Sequence, residues 1–281
     1  MVTPGFSNHV AVVAGNGPSL ANMSAGRILA EDFIIRTNNF FFEPQFFLGR
    51  RVDLAFMGGD ARVAPFMFET LFQCRQHYGL EAWASHNPEV AAAGLRRFPG
   101  GFQPMKYRTP RVQADIAALA ERFGKMPTTG VQALIHAHGL GGRTIILAGF
   151  DFYQETTRYM YVPGQHQLDL LGADLAHRGA DRTLHDPDLD LAVIAYLQDL
   201  GDVRLYRSSQ GTALDELLDL APPRKGKRIV SEPRPQAPQD WATRSGLYPI
   251  GVLKALRRAS ACLRRPRLSP AAGERGISND V

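Results

Sequence analysis

A group of phenol side chains follows an apolar run near the middle of the chain. The run ends in Gly149 and Asp151, and Tyr153, Tyr159 and Tyr161 come next. At the carboxyl edge of a parallel sheet, such hydroxyls can donate hydrogen bonds to a leaving phosphate group. Packing of amphipathic side chains is the alternative that the spacing leaves open.

His185 stands directly before an acidic stretch that begins Asp186-Pro187-Asp188 and ends at Asp190. An Asp-x-Asp pattern suggests a metal site, but a helix start explains it better, with Asp186 as N-cap, Pro187 at the first helical position and acids that complement the dipole. We therefore predict no metal here. An imidazole in front of this helix suits a general base, with an ordinary surface histidine as the alternative.

The segment AGNGPSL at 14–20 has the composition of a strand end, a tight turn and a helix start. Backbone N–H groups at such a turn can approach a nucleotide phosphate, and a purely structural turn is the alternative. The segment has neither the third glycine of a dinucleotide fingerprint nor the Lys-Ser/Thr of a P-loop, and the second strand ends without an acidic residue. The pattern argues against an NAD enzyme.

An alternation of strands and helices is needed to bring these residues together. Short apolar runs predict strands at 9–14, 33–37, 52–57, 81–84, 143–148 and 203–206, and helical spacing predicts helices at 65–78, 113–123, 131–140 and 189–200. This order predicts an α/β, Rossmann-like fold with a mostly parallel sheet and helices on both faces. Residues 154–184 interrupt the alternation with a polar, aromatic-containing insertion, which we interpret as a lid.

Composition narrows the class of protein. The 281 residues are 44% hydrophobic and 21% charged, enough for a full core. Thirteen of the 32 basic but only four of the 27 acidic residues follow Pro223, so the tail carries +9 and the remainder −4. We predict no nucleic-acid binding by the main domain. No signal peptide, membrane span or disulfide framework is predicted, and the cytoplasm is the default compartment.

The tail itself divides into two parts. Residues 223–239 are rich in Pro, Arg and Lys and predict a linker, and 250–265 predict a basic amphipathic helix with Ile250, Leu253, Leu256 and Leu263 on one side. Such a helix suits the anionic inner face of a membrane, or a docked position on the domain or on a partner.

Four blocks in this order resemble the bacterial sialyltransferases of glycosyltransferase family 42. They are AGNGPSL at 14–20, RTNNFFFE at 36–43 followed by Leu48 and Gly49, TTGV at 128–131, and GFDFY at 149–153 leading to Tyr159 and His185. The resemblance implies a GT-A-type glycosyltransferase domain over 8–222 with a lid at about 154–184, and a basic tail over 223–281. It also implies a CMP-sialic acid donor, a glycan acceptor and often a tetramer, without a metal or other cofactor.

The resemblance also assigns roles to residues. It implies His185 as general base, Tyr153 and Tyr159 as hydrogen-bond donors to the CMP phosphate, and Asp190 as a matching aspartate. The donor-binding positions it implies are Gly15, Asn16, Gly17, Ser19, Asn38, Thr128, Thr129, Gly130 and Asp151. The expected activity is inverting transfer of sialic acid to a terminal galactose or sialic acid of a cell-surface glycan such as lipopolysaccharide.

Two positions depart from the family pattern. Gly58 stands where the family has an asparagine that contacts the donor, and Met126, beside Lys125, stands where it has an arginine. A transferase for another CMP-linked keto acid sugar therefore remains an alternative, as does a non-catalytic nucleotide- or glycan-binding module.

Overall fold

The computed structural model describes residues 10–153, 156–179, 185–246 and 248–264. Within them, a seven-stranded sheet has the order β6-β5-β4-β2-β1-β7-β8, and every neighbouring pair is parallel. The described strands are β1 (Ala11–Ala14), β2 (Phe33–Thr37), β3 (Gln45–Phe46), β4 (Arg51–Phe56), β5 (Gly79–Ser85), β6 (Phe102–Pro104), β7 (Thr144–Ala148), β8 (Arg204–Arg207) and β9 (Glu232–Pro233). Strands β3 and β9 pair separately, in antiparallel fashion.

Helices cover both faces of the sheet. The described helices are α1 (Ala64–Cys74), α2 (Pro88–Leu95), α3 (Pro110–Phe123), α4 (Thr129–Gly139), α5 (Gln165–Leu171), α6 (Pro187–Asp199) and α7 (Ile250–Arg264). Neighbouring residues of β4 enter different apolar clusters: Leu54 and Phe56 join that of α3, α4 and α6, whereas Ala55 joins that of α1 and α2. Burial on both sides explains why the strands are continuous apolar runs.

The predicted α/β fold with its mostly parallel sheet is confirmed, and each of the six predicted strands and four predicted helices is present. Asp186 caps α6 by accepting a 3.0 Å hydrogen bond from the Asp188 N–H, and Pro187 is the first helical residue. The sequence prediction omitted β6 and α2, and it omitted α5, which lies inside the predicted lid. Residues 154, 155 and 180–184 of that lid lie outside the described residues.

The predicted linker at 223–239 is in close contact with the domain. Strand β9 pairs with β3, and the guanidinium of Arg234 is buried, donating to the Phe41 carbonyl and, at 2.8 Å, to the Tyr78 hydroxyl. Within the described residues this segment is therefore not a free linker, because it supplies a cation to the interior.

Arg234 completes a buried polar network. Arg36 and Glu43, whose side chains are fully buried, form an ion pair at 2.8 Å, and the Tyr78 hydroxyl donates to Glu43 at 3.0 Å. Arg36 thus pairs with Glu43 directly, and Arg234 is linked to Glu43 through the Tyr78 hydroxyl. Burial raises the pKa of Tyr78 well above its usual value, so this phenol stays a neutral donor.

Helix α7 has the predicted position, and the domain covers only part of its predicted apolar side. Ile250 and Leu253 are buried against the domain, whereas Leu256 is 63% exposed. The side chain of Leu263 lies outside the described residues. Lys254 forms a 2.7 Å ion pair with Asp169, which fixes α7 beside α5 of the insertion.

Candidate active site

A cavity of about 740 Å³ opens at the carboxyl ends of the central strands. The loops after β1, β2, β4 and β7 meet there, as expected for an open parallel sheet. Most predicted site residues line it: Gly15, Asn16, Gly17, Asn38, Thr128, Thr129, Gly130, Asp151, Tyr153, Tyr159 and His185. Ser19 does not line the cavity.

Three N–H groups of the loop after β1 form hydrogen bonds within the protein. The Gly15 N–H donates to the Ala148 carbonyl at 2.8 Å, and the Gly17 N–H donates to the Gly149 carbonyl at 3.1 Å. The Ser19 N–H donates to the Asp151 carboxylate at 3.0 Å. These groups join the loop to the end of β7, and the approach of a phosphate to this loop stays a prediction.

Close packing explains the glycines of this loop. A Cβ at Gly17 would lie 2.0 Å from Asp151 Oδ2, and one at Gly15 would lie 2.4 Å from the Gly149 carbonyl oxygen. Because any larger residue would push the β1 and β7 loops apart, both positions need glycine for space.

Two asparagine side chains are fixed by the neighbouring strands. Asn16 donates from Nδ2 to the Thr37 carbonyl at 2.9 Å, while its Oδ1 is buried and accepts no hydrogen bond from the described residues. A ligand N–H would satisfy that oxygen. Asn38 accepts a 2.7 Å hydrogen bond from the Gly58 N–H, which fixes the side chain beside the cavity.

Backbone strain concentrates at this cavity. Among the described residues, the non-glycine positions with positive φ are Asn38 (44°), Phe152 (47°) and Tyr153 (61°), and all three line the cavity. Left-handed conformations are unfavourable for such residues, most of all for aromatic ones. The surrounding fold therefore stabilises a costly backbone that places these side chains.

The Tyr153 phenol and the His185 imidazole lie close to each other in the cavity wall. Their ring centroids lie 6.3 Å apart, and burial raises the pKa of Tyr153 to about 12, so the phenol keeps its proton at neutral pH. Tyr159 stacks on Tyr161 with centroids 5.0 Å apart. The site therefore contains phenol hydroxyls and an imidazole within one space.

Asp190 is a buried carboxylate rather than a solvated complement to the helix dipole. It is 1% exposed and accepts a hydrogen bond from the Thr128 N–H at 2.8 Å, which joins α6 to the start of α4. Burial outweighs this hydrogen bond and raises the pKa of Asp190 to about 6.

The N-terminus of α4 faces the cavity. Thr128 occupies the N-cap position without a side-chain capping hydrogen bond, and Thr129 and Gly130 of the first turn line the cavity. The positive end of a helix dipole favours an anion. The N-terminus of α4 is therefore a further part of the cavity wall that favours an anion.

Several lining residues were not predicted. His86 stacks on Phe56 with centroids 6.1 Å apart, and burial lowers its pKa. Trp241, from the predicted tail, donates its indole N–H to Asn39 at 3.0 Å. Arg257 of α7 forms an ion pair with Asp60 at the cavity wall. The sequence did not predict His86 or Trp241 at the cavity, because an isolated histidine and a tryptophan near a proline-rich stretch match no motif.

The two departures from the family pattern both lie at the cavity. A Cβ at Gly58 would be 2.6 Å from Thr129 Oγ1 and 3.0 Å from the His86 ring. Any side chain at position 58 would therefore displace Thr129 or His86. Met126 is 57% exposed and lines the cavity with an apolar group.

Among the described residues, no three His, Cys, Asp or Glu side chains are grouped so that they could hold a metal ion. Asp186, Asp188 and Asp190 therefore do not form a metal-ligand group, and the roles of Asp186 and Asp190 are the cap and the Thr128 contact.

Comparison with known proteins gives one match to a protein family. Residues 9–82 match the family described as alpha-2,3-sialyltransferase (CST-I). No curated protein sequence matches the chain. The matched part contains the first two of the four motifs.

Solved structures share the fold over most of the chain. The monofunctional alpha-2,3-sialyltransferase Cst-I from Campylobacter jejuni is 20% identical with a TM-score of 0.74, and the match covers 92% of this chain and 96% of that one. The sialyltransferase CstII from the same organism, in complex with CMP-3FNeuAc, is 21% identical with a TM-score of 0.72, covering 84% and 95%. The structure of CST-II in complex with a trisaccharide acceptor and CMP is 21% identical with a TM-score of 0.68, and the match covers 84% of this chain and 95% of that one. Family match and shared fold together support the bacterial sialyltransferase family that the motifs predicted.

Proposed function

We propose that this chain is a metal-independent, inverting sialyltransferase that moves sialic acid from CMP-sialic acid to a hydroxyl of a glycan acceptor. The observation that carries the proposal is the convergence of Tyr153, Tyr159 and His185 on one cavity at the sheet edge. The complexes of CstII with CMP-3FNeuAc and of CST-II with a trisaccharide and CMP support this donor and this acceptor class.

The two phenols act on the leaving group. As the bond from the anomeric carbon to the phosphate oxygen breaks, its electron pair stays on that oxygen and CMP gains negative charge. Tyr153 and Tyr159 stabilise this charge by hydrogen bonding, which requires that they keep their protons. The raised pKa of Tyr153, about 12, supports that state.

His185 acts on the acceptor. Its imidazole removes the proton from the acceptor hydroxyl as that oxygen forms its bond to the anomeric carbon, on the face opposite the departing CMP. A single displacement of this kind inverts the configuration. Both His185 and Tyr153 line the cavity, which supports a base and a leaving-group donor that act on one bound donor.

The insertion and the tail enclose the reaction. Leu170, Leu171 and Leu175 of the insertion and Trp241 of the tail form apolar walls of the cavity. These walls limit the access of water, which would otherwise compete with the acceptor for the donor.

The test is CMP release from CMP-sialic acid with a galactose-terminated acceptor in excess EDTA. We expect release by the wild type, its loss in His185→Ala, a large decrease in Tyr153→Phe, and no change in the control His177→Ala, which alters an exposed histidine of the insertion. Release that requires added metal, or that survives in His185→Ala, contradicts the proposed mechanism. Failure to bind CMP contradicts the donor class.

A second donor is favoured by one observation. Gly58 leaves no room for the asparagine of the family pattern, and Met126 places an apolar surface where that pattern has an arginine. A different CMP-linked keto acid sugar would meet this altered wall, so the assay includes a panel of such donors.

The setting of the reaction is a further part of the proposal. We place the enzyme in the cytoplasm, at the inner face of the membrane, in the synthesis of a cell-surface glycan such as lipopolysaccharide, and as a homo-oligomer. Assembly and membrane contact rest on the resemblance and on α7 alone. No helix among the described residues has the length and apolar character needed to span a membrane.

A further inference from the structure

Arg158 lies between the two phenols of the site. Its guanidinium carbon is 3.9 Å from the centre of the Tyr153 ring, and its Nε donates to the Tyr159 hydroxyl at 3.0 Å. The side chain is half-buried and lines the cavity. A cation therefore contacts both phenols that hydrogen-bond the leaving phosphate in the proposed mechanism.

Arg158 differs in its charge partners from the other guanidiniums that line this cavity. Arg62 pairs with Asp60 at 3.1 Å, Arg257 pairs with the same carboxylate, and Arg178 lies 3.3 Å from Asp174. Within the described part of the chain, Arg158 forms hydrogen bonds to a phenol and to backbone carbonyls but no ion pair with a carboxylate. Its positive charge is thus available to an anion in the cavity.

The direction of the hydrogen bond determines what Tyr159 can do. Because the Tyr159 oxygen accepts from Arg158 Nε, the hydroxyl proton of Tyr159 is not used in that contact and can be donated to another acceptor. A hydrogen bond from a cation also polarises the hydroxyl and makes it a stronger donor.

We propose that Arg158 is a positioning residue that makes Tyr153 and Tyr159 selective for the dianionic phosphate formed when the donor is cleaved. This inference rests on the proposed function. The phosphate of the intact donor is a diester with one negative charge. When the bond to the anomeric carbon breaks, the electron pair remains on the phosphate oxygen and the product is a monoester with a second charge.

A cation beside the phenols interacts more strongly with the second state than with the first. It therefore lowers the barrier rather than tightening donor binding, because only the stabilisation that grows towards the transition state accelerates the step. We expect Arg158→Gln to lower kcat by roughly 100-fold with a much smaller change in the KM for the donor.

A purely structural role is the competing explanation. Arg158 Nη1 also donates to the carbonyls of Arg178 at 3.4 Å and of Gly179 at 3.1 Å, and so ties two parts of the insertion together. Loss of that tie would weaken the binding of every ligand to the same degree. A test must therefore separate the charge of the phosphate from the closure of the insertion.

Two ligands that differ in phosphate charge provide that test. CMP is nearly a dianion at pH 7.5, since the second pKa of a phosphate monoester is about 6, whereas cytidine 5′-methyl phosphate keeps one charge. Both are titrated calorimetrically at this single pH into wild type, Arg158→Gln, Arg158→Lys and Arg111→Gln, so that no protein group changes its protonation between the measurements. Arg111 is a control because its side chain is 87% exposed on α3.

We expect wild type and Arg111→Gln to prefer CMP by about tenfold, the value of one charge-assisted hydrogen bond. The preference should fall close to one in Arg158→Gln and remain largely intact in Arg158→Lys, which keeps the cation. An equal loss of affinity for both ligands, with the ratio unchanged, overturns the inference and leaves the proposed function standing. Failure of the wild type to bind CMP overturns both.

Discussion

Asp190 provides the sharpest test of the site through its effect on stability. Its side chain is almost completely buried, and burial raises its pKa from 3.8 to about 6. Between pH 4 and 6 the folded protein keeps a proton that the unfolded chain has lost. Raising the pH through this window therefore lowers the free energy of unfolding, because the native state binds more protons than the unfolded state.

The size of the effect follows from the two pKa values. The difference between 3.8 and about 6 corresponds to about 3 kcal/mol of the free energy of unfolding. This stabilisation is present below pH 4 and lost by pH 7. Asp190→Asn cannot titrate, and its Oδ1 can still accept from the Thr128 N–H. In this variant the amide NH2 takes the place of Oδ2, which has no hydrogen-bond partner among the described residues, so the variant loses stability by an amount that does not depend on pH. The pH dependence, not the offset, is the readout.

The assay is urea unfolding followed by tryptophan fluorescence at intervals from pH 4 to 7.5. Trp83 and Trp241 are both buried in the apolar cluster of α1 and α2 and report unfolding. Relative to wild type, Asp190→Asn should gain about 3 kcal/mol as the pH rises from 4 to 7. Asp188→Asn, on an exposed position of the same helix turn, should run parallel to wild type. A flat difference for Asp190→Asn, or one of opposite sign, would refute the reasoning.

Three further predictions follow from packing and exposure. Gly17→Ala places a Cβ against Asp151, although its backbone, with φ −73°, suits any residue. We expect the free energy of unfolding in urea to fall by about 1–3 kcal/mol and CMP binding, measured by calorimetry, to weaken. The control Gly100→Ala, which has open space around its Cβ, should change neither quantity. Glu43→Gln leaves the buried guanidinium of Arg36 without its ion-pair partner and should cost about 3–5 kcal/mol; a loss below 1 kcal/mol would show that the network is solvated. Leu256→Glu should reduce pelleting with anionic liposomes without lowering the melting temperature, because Leu256 is 63% exposed; unchanged pelleting contradicts membrane contact through α7.

The sheet and the position of Tyr153 could be predicted because local signals determine them. Strands buried on both faces are apolar runs whatever packs against them, and the loop after such a strand opens at the ligand-binding edge. The cap at Asp186 is equally local, since its partner is the N–H of Asp188 at 3.0 Å.

The remaining features depend on residues that are far apart in the sequence. The contacts of the first loop depend on Asp151, which accepts the Ser19 N–H across 132 positions. Likewise, Arg234 resembles a linker residue until Tyr78, 156 positions away, accepts its hydrogen bond. Composition identifies neither contact, because it contains no information about which partner is available.

The location of β1 in the sheet constrains the order of assembly as the chain is synthesised. Its four residues are fully buried, with β2 on one side and β7 on the other, and Ala14 pairs with Ala148. A nascent chain that ends before residue 144 has made five of the seven strands, yet it exposes one whole edge of its most apolar strand. Such an edge invites pairing with other chains. We therefore expect the emerging polypeptide to depend on chaperone protection until β7 leaves the ribosome, and slow translation between α2 and β7 to increase aggregation.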